Sequence, residues 1–83
     1  MINGKKYSKF INNEPHIVVG GMFALIGLPD IQQRVIIDNM IEIDYSDKIT
    51  SPNQFKVDYT NGYVFFHPSR EGESINVVKY ASR

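Results

Sequence analysis

With 83 residues the chain has room for one small domain, whose stability must come from a tightly packed core or from association. It contains no cysteine, which excludes disulfide staples and thiolate metal sites. Nine basic side chains balance nine acidic ones, which argues against a dedicated nucleic-acid binder with its basic face.

The first fifteen residues are polar, with Tyr7, Phe10 and Ile11 as scattered apolar anchors. Asn12, Asn13, Glu14 and Pro15 read as a turn cluster. Residues 1–15 are therefore expected to form a flexible arm, or an arm swapped onto a neighbour, basic at Lys5, Lys6 and Lys9. Residues 17–28 (IVVGGMFALIGL) are the longest apolar run, too short to cross a bilayer as a helix. No small-x-small cleavage site follows, so the run does not read as a signal peptide. Its β-branched Ile17, Val18 and Val19 favour a strand, Gly20-Gly21 predicts a kink or bulge, and a second strand is expected from Met22 to Leu28. Leu28-Pro29-Asp30 ends the run.

Residues 34–37 (RVII) read as a strand and Asp38-Asn39 as a turn. Residues 40–45 (MIEIDY) alternate with period two, which predicts a strand with Ile41, Ile43 and Tyr45 buried and Glu42 and Asp44 in solvent. A polar loop over residues 46–53 follows.

Residues 55–80 read as three strands in a row. Asn61-Gly62 between alternating apolar residues predicts a two-residue type I′ hairpin. In that register Thr60 faces Tyr63, Tyr59 faces Val64, Asp58 faces Phe65 and Val57 faces Phe66. Phe55, Val57, Tyr59, Val64 and Phe66 then share a core face. The other face carries Lys56, Asp58, Tyr63, Phe65 and His67, and its aromatic pair calls for a second layer or a partner. Residues 68–73 form the next turn. In the last strand, Ile75 and Val77 are out of phase with Val78 and Tyr80, and a β-bulge near Val77-Val78 would bring all four to the core. The expected architecture is all-β: a small antiparallel β-sandwich or partly open barrel with a C-terminal three-stranded meander, in one domain over residues 1–83.

Chemistry-bearing constellations are sparse. His16 and His67 lack further ligands at metal spacing. Asp38, Glu42, Asp44 and Asp47 lack the loop pattern of a calcium site. Gly20, Gly21 and Gly27 have neither the spacing nor the helix of a phosphate-binding loop. Lys56, Arg70 and Lys79 with Tyr63 and Phe65 imitate a single-strand nucleic-acid platform, but Asp58, Glu71 and Glu73 offset their charge. No nucleophile, base and oxyanion set can be assembled, so no enzyme and no cofactor are expected. Nor is a membrane or nucleic-acid partner. Tyr59, Tyr63 and Phe65 are the residues suited to stacking on a sugar ring.

Residues 55–66 (FKVDYTNGYVFF) resemble a module of bacteriophage structural proteins from Gram-positive hosts. There a strand ending in Val-Asp-Tyr meets a Thr-Asn-Gly turn and returns as an aromatic strand. Gly72, the strand ending at Tyr80, and the upstream Leu28-Pro29-Asp30, Arg34 to Ile37 and Met40 to Ile43 are similar to the same module. The resemblance spans roughly residues 25–83. It implies a non-enzymatic tail, baseplate or receptor-binding fibre component of the virion. It also implies docking on phage structural proteins and self-association as a homotrimer. The interface residues expected from the hairpin are Tyr63, Phe65, His67 and Lys56. A second reading of the same tyrosines is a small carbohydrate-binding module for a host cell-wall glycan. A third is a protein-binding regulator outside the virion.

Overall fold

The computed structural model describes residues 9–83, which form seven strands in two sheets. The expected anchor Tyr7 and the basic Lys5 and Lys6 lie outside the described residues. One sheet contains β1 (Lys9–Ile17), β3 (Ile36–Ile37) and β7 (Ser74–Ser82), in the spatial order β1-β7-β3. The other contains β2 (Met22–Ala24), β4 (Ile41–Glu42), β5 (Gln54–Asp58) and β6 (Tyr63–Phe66), in the order β2-β6-β5-β4. Every pairing is antiparallel except β4 with β5. Ile37, Ile75, Val77 and Tyr80 of the first sheet form one core with Phe23, Phe55, Val57, Val64 and Phe66 of the second. Val18, Leu25 and Val35 fill it from the connections. Facing sheets with inward apolar rows give the expected all-β, two-sheet arrangement.

The C-terminal meander is corrected in one respect. The β5–β6 hairpin stays in the second sheet, but β7 crosses to pair with β1 and β3. The free side of β6 is taken by β2, through Met22↔Phe65, Phe23↔Val64 and Ala24↔Tyr63. β7 therefore finds its edges elsewhere.

The turn cluster expected over residues 12–15 is instead the middle of β1. Asn13 adopts φ 56°, a left-handed conformation that Asn tolerates better than most residues. Its level in the ladder is that of Val78, where β7 carries its own irregularity. Ile36 pairs with Lys79 but Ile37 with Val77, so Val78 is the extra residue. The predicted bulge is thus present, and it brings Ile75, Val77 and Tyr80 to the core, with Val78 half-buried. The matching bend at Asn13 lets Ile11 and Glu14 both face inward.

The type I′ turn also lies elsewhere than expected. Gly20 and Gly21 have φ 66° and 77°, and Val19 and Met22 exchange backbone hydrogen bonds across them. At the second site only Gly62 has positive φ, 79°. The β5–β6 loop is four residues long, since Asp58 pairs with Tyr63. The Asp58 carboxylate accepts from the N–H groups of Thr60 and Asn61, and its carbonyl from Gly62 N–H at 2.8 Å. This Asx-type wrapping outcompetes the tighter turn. The register thereby slips by two, to Val57↔Val64 and Phe55↔Phe66. A slip of two leaves every side chain on its expected face, because strands alternate with period two.

The strand expected over residues 40–45 shortens to Ile41–Glu42. Ile41 and Tyr45 are exposed, whereas the Glu42 side chain is only 13% exposed. Glu42 turns inward because Arg34 and Tyr59 donate to it, so the predicted faces fail at Ile41, Glu42 and Tyr45, whereas Ile43 is half-buried and Asp44 exposed.

Candidate functional site

The outer face of the second sheet carries the aromatic side chains that the hairpin pattern singled out. Lys56 pairs with Phe65 and Asp58 with Tyr63, so all four project from one side. Tyr63 and Phe65 meet edge-on at 6.5 Å between centroids. Tyr45, from the loop after β4, adds a third ring 6.0 Å from Phe65. Lys56 Nζ lies 5.3 Å from the Tyr45 ring centre and donates to the Asp47 carbonyl at 2.8 Å. Ile41, Tyr45 and Tyr63 are 59%, 52% and 39% exposed, so the face is apolar and uncovered. His67 does not join it through any hydrogen bond or ring contact among the described residues. Its Nδ1 caps the short 3₁₀ turn Pro68–Arg70 by accepting from Ser69 N–H at 3.1 Å. Tyr45 was missed as a surface residue because its alternation with Ile41 and Ile43 read as a buried strand.

A polar triad braces the neighbouring rim. Arg34 forks onto Glu42, with Nη2 at 2.9 Å, and stacks over the Tyr59 ring at 4.9 Å. The Tyr59 hydroxyl donates to Glu42 and accepts from Val35 N–H at 3.1 Å. Burial, and then the Glu42 charge, push the Tyr59 hydroxyl above its ordinary value. Arg34, Tyr59, Asp44, Tyr45 and Asp58 border a hollow of about 310 Å³.

The second polar assembly centres on a buried carboxylate that has no prominence in the sequence. Glu14, 4% exposed, sits inside the core. Tyr80 O–H donates to its Oε1 at 2.5 Å, Ile26 N–H donates to Oε2 at 2.9 Å, and His16 Nε2 contacts the same oxygen. Gly27 N–H in turn donates to the Tyr80 hydroxyl at 3.0 Å. His16 stacks on Phe23 at 4.6 Å. Burial pushes the Glu14 carboxyl up, but the hydrogen bonds from Tyr80, His16 and Ile26 outweigh it and hold the group below its ordinary value. Burial and the Glu14 bond push the Tyr80 hydroxyl up to about 12. This is a fully engaged carboxylate that ties β1, β7 and the segment after β2 together. The signal available in the sequence was the Glu14-x-His16 spacing, which puts two polar side chains on one face of a strand.

No group of three or more potential metal ligands occurs among the described residues. No helix among them is long and apolar enough to cross a membrane. The family model described as "SPbeta prophage YomF protein, N-terminal domain" matches residues 2–83. No curated protein and no solved structure matches the chain.

Proposed function

Because the chain belongs to the family of the SPbeta prophage YomF N-terminal domain, we propose that it is a non-enzymatic assembly module of the phage particle. The family makes its role phage-associated. The reading adds a place, the tail, baseplate or receptor-binding fibre of the virion, and a mechanism, docking through the outer face of the second sheet. The observation that carries it is the aromatic group around Lys56, with Tyr45 and Tyr63 exposed against a half-buried Phe65. The core is complete without these rings, so fold stability does not account for them. Interfaces favour such rings at their centres. The partners are other phage structural proteins and sister copies of this chain, in a homotrimer.

Two measurements test this. Mass spectrometry of purified particles should find the chain at a fixed ratio to the major tail proteins. Sedimentation at high concentration should show association that Tyr63→Ser with Tyr45→Ser abolishes while the fold persists. A chain missing from purified particles and strictly monomeric in solution would refute the reading. If glycans bind the tyrosine face and no protein does, the docking mechanism is wrong.

A further inference from the structure

Among the described residues β1 is the long strand with an uncovered edge. The first sheet runs β1-β7-β3, so β1, nine residues long, has a neighbour on one side only. The other edge strands, β2, β3 and β4, have two or three residues each. Asp30 N–H donates to the Ala81 carbonyl at 2.8 Å, so Ala81 turns its backbone groups away from β1. Its neighbours Tyr80 and Ser82 therefore face β1, where they pair with Ile11 and Lys9. Phe10 and Asn12 alternate with these and point their backbone groups to the open side. Among the described residues nothing hydrogen-bonds them there. The edge is accessible, since Phe10 is 51% exposed and Asn12 is exposed too. Further along, Asn13 is left-handed and Pro15 has no N–H, and both features close the rest of the edge to pairing. The open run is thus residues 9–12.

This run carries one sign of charge. Strands β1, β3 and β7 contain a single acid, Glu14, which is buried and engaged by Tyr80. Lys9 opens the run. Lys79 reaches over from β7, with its Nζ 4.5 Å from the centre of the Phe10 ring. An ammonium rooted in the middle strand thereby stands over the edge strand. Neither lysine is ion-paired among the described residues. Phe10 and Ile36, each 51% exposed, border a hollow of about 220 Å³ with Lys79 between them. Open backbone groups, two unpaired cations and exposed apolar side chains therefore coincide.

We propose that β1 takes an extended acidic segment of a partner protein as an added strand along residues 9–12. Phe10 and Asn12 exchange main-chain bonds with it, and Lys9 and Lys79 select its carboxylates. Charge decides the occupant. A basic strand, or β1 of a second copy with its own lysines, would set like charges together. The inference extends docking to a second surface, on the other sheet from the aromatic face.

The test selects a random dodecapeptide display library against the whole chain and follows the enriched peptides by amide NMR. Enriched sequences should carry Asp or Glu among apolar residues. Binding should shift the Phe10 and Asn12 amides and slow their exchange. N-methylation of the peptide at positions facing β1 should abolish binding without touching the protein. Asn12→Pro should weaken binding at least about tenfold, because it removes an outward N–H. The β7 amides should keep their positions in that variant, since the β1–β7 ladder does not use this N–H. Lys9→Gln and Lys79→Gln should each weaken binding about threefold at low salt, and less at high salt. No enrichment, enriched peptides without acidic residues, or unchanged binding by a folded Asn12→Pro would overturn strand addition. Peptides that shift only Tyr45, Tyr63 and Phe65 would overturn it while supporting docking at the aromatic face. A chain missing from purified particles would count against the virion reading alone, which separates the two failures.

Discussion

Replacing Tyr80 with Phe removes one oxygen from a side chain that is 1% exposed and leaves the ring in place. Two bonds are lost. The first donates to the buried Glu14 carboxylate at 2.5 Å, and bonds to charged groups contribute about 1.5–3 kcal/mol. The second accepts from Gly27 N–H at 3.0 Å, and a stranded amide costs about 1–3 kcal/mol unless water reaches it. The two share one hydroxyl and are not additive, so a loss of about 2–4 kcal/mol is expected. A domain of 83 residues has a total stability of about 4–12 kcal/mol, so the variant should melt at least about 10 °C lower. Urea unfolding should show a lower midpoint with an unchanged slope. The pH dependence gives an independent check. The folded Glu14 carboxyl lies below its ordinary value of 4.5, so its contribution is present above the unfolded value. That contribution is lost as pH falls through the folded value. Without the Tyr80 bond the folded value rises, so the pH-dependent part of the stability in this acid window should shrink. A loss below about 0.5 kcal/mol, with the acid limb unchanged, would show that the network does not hold Glu14 as argued.

Three further outcomes follow from the turns and the rim. Gly20→Ala and Gly21→Ala should each cost about 1–2 kcal/mol in denaturant unfolding, although a Cβ at either site meets nothing within 4 Å, because the penalty is the left-handed backbone alone. The corresponding Asn variants should cost less. Asn61→Ala should cost under about 1 kcal/mol, since Asn61 is not in the left-handed region, whereas Gly62→Ala should exceed it, with φ 79° and a Cβ 3.3 Å from Leu28; the reverse ranking by urea titration would restore the type I′ turn. Tyr59→Phe should cost about 1–3 kcal/mol by thermal melting, because it strands Val35 N–H and removes a donor to Glu42.

The parts of this fold that were legible in the sequence are those set by local phase. Alternation placed Phe55, Val57, Val64 and Phe66 in the core, and it did so despite the wrong register, since the slip was by an even number of residues. The clash of phases between Val77 and Val78 predicted the bulge for the same reason. Pairing partners were not legible. Nothing local to residues 74–82 says that their neighbours are β1 and β3 rather than β6. Glu14 was hidden because its environment is supplied from far along the chain. Tyr80 is 66 residues away, and among Asn, Pro and His neighbours a lone acid reads as turn chemistry. Glu42 turned inward because distant Arg34 and Tyr59 hold it, and Tyr45 came to the surface because the strand ends at Glu42.

These failures bear on the aromatic face. The polar residues the sequence undervalued are all engaged within the domain: Glu14 locks β1 to β7, Glu42 fixes Arg34 to Tyr59, and the Glu71 carboxylate accepts from Gly20 and Gly21 N–H at 2.7 and 2.8 Å. Tyr45, Tyr63 and Ile41 carry no such hydrogen bond among the described residues, and their exposed apolar area contributes nothing to folding. A domain so small has little stability to spare for idle apolar surface. The physical case for a partner therefore rests on the contrast between interior polar groups that are satisfied and exterior rings that are not covered.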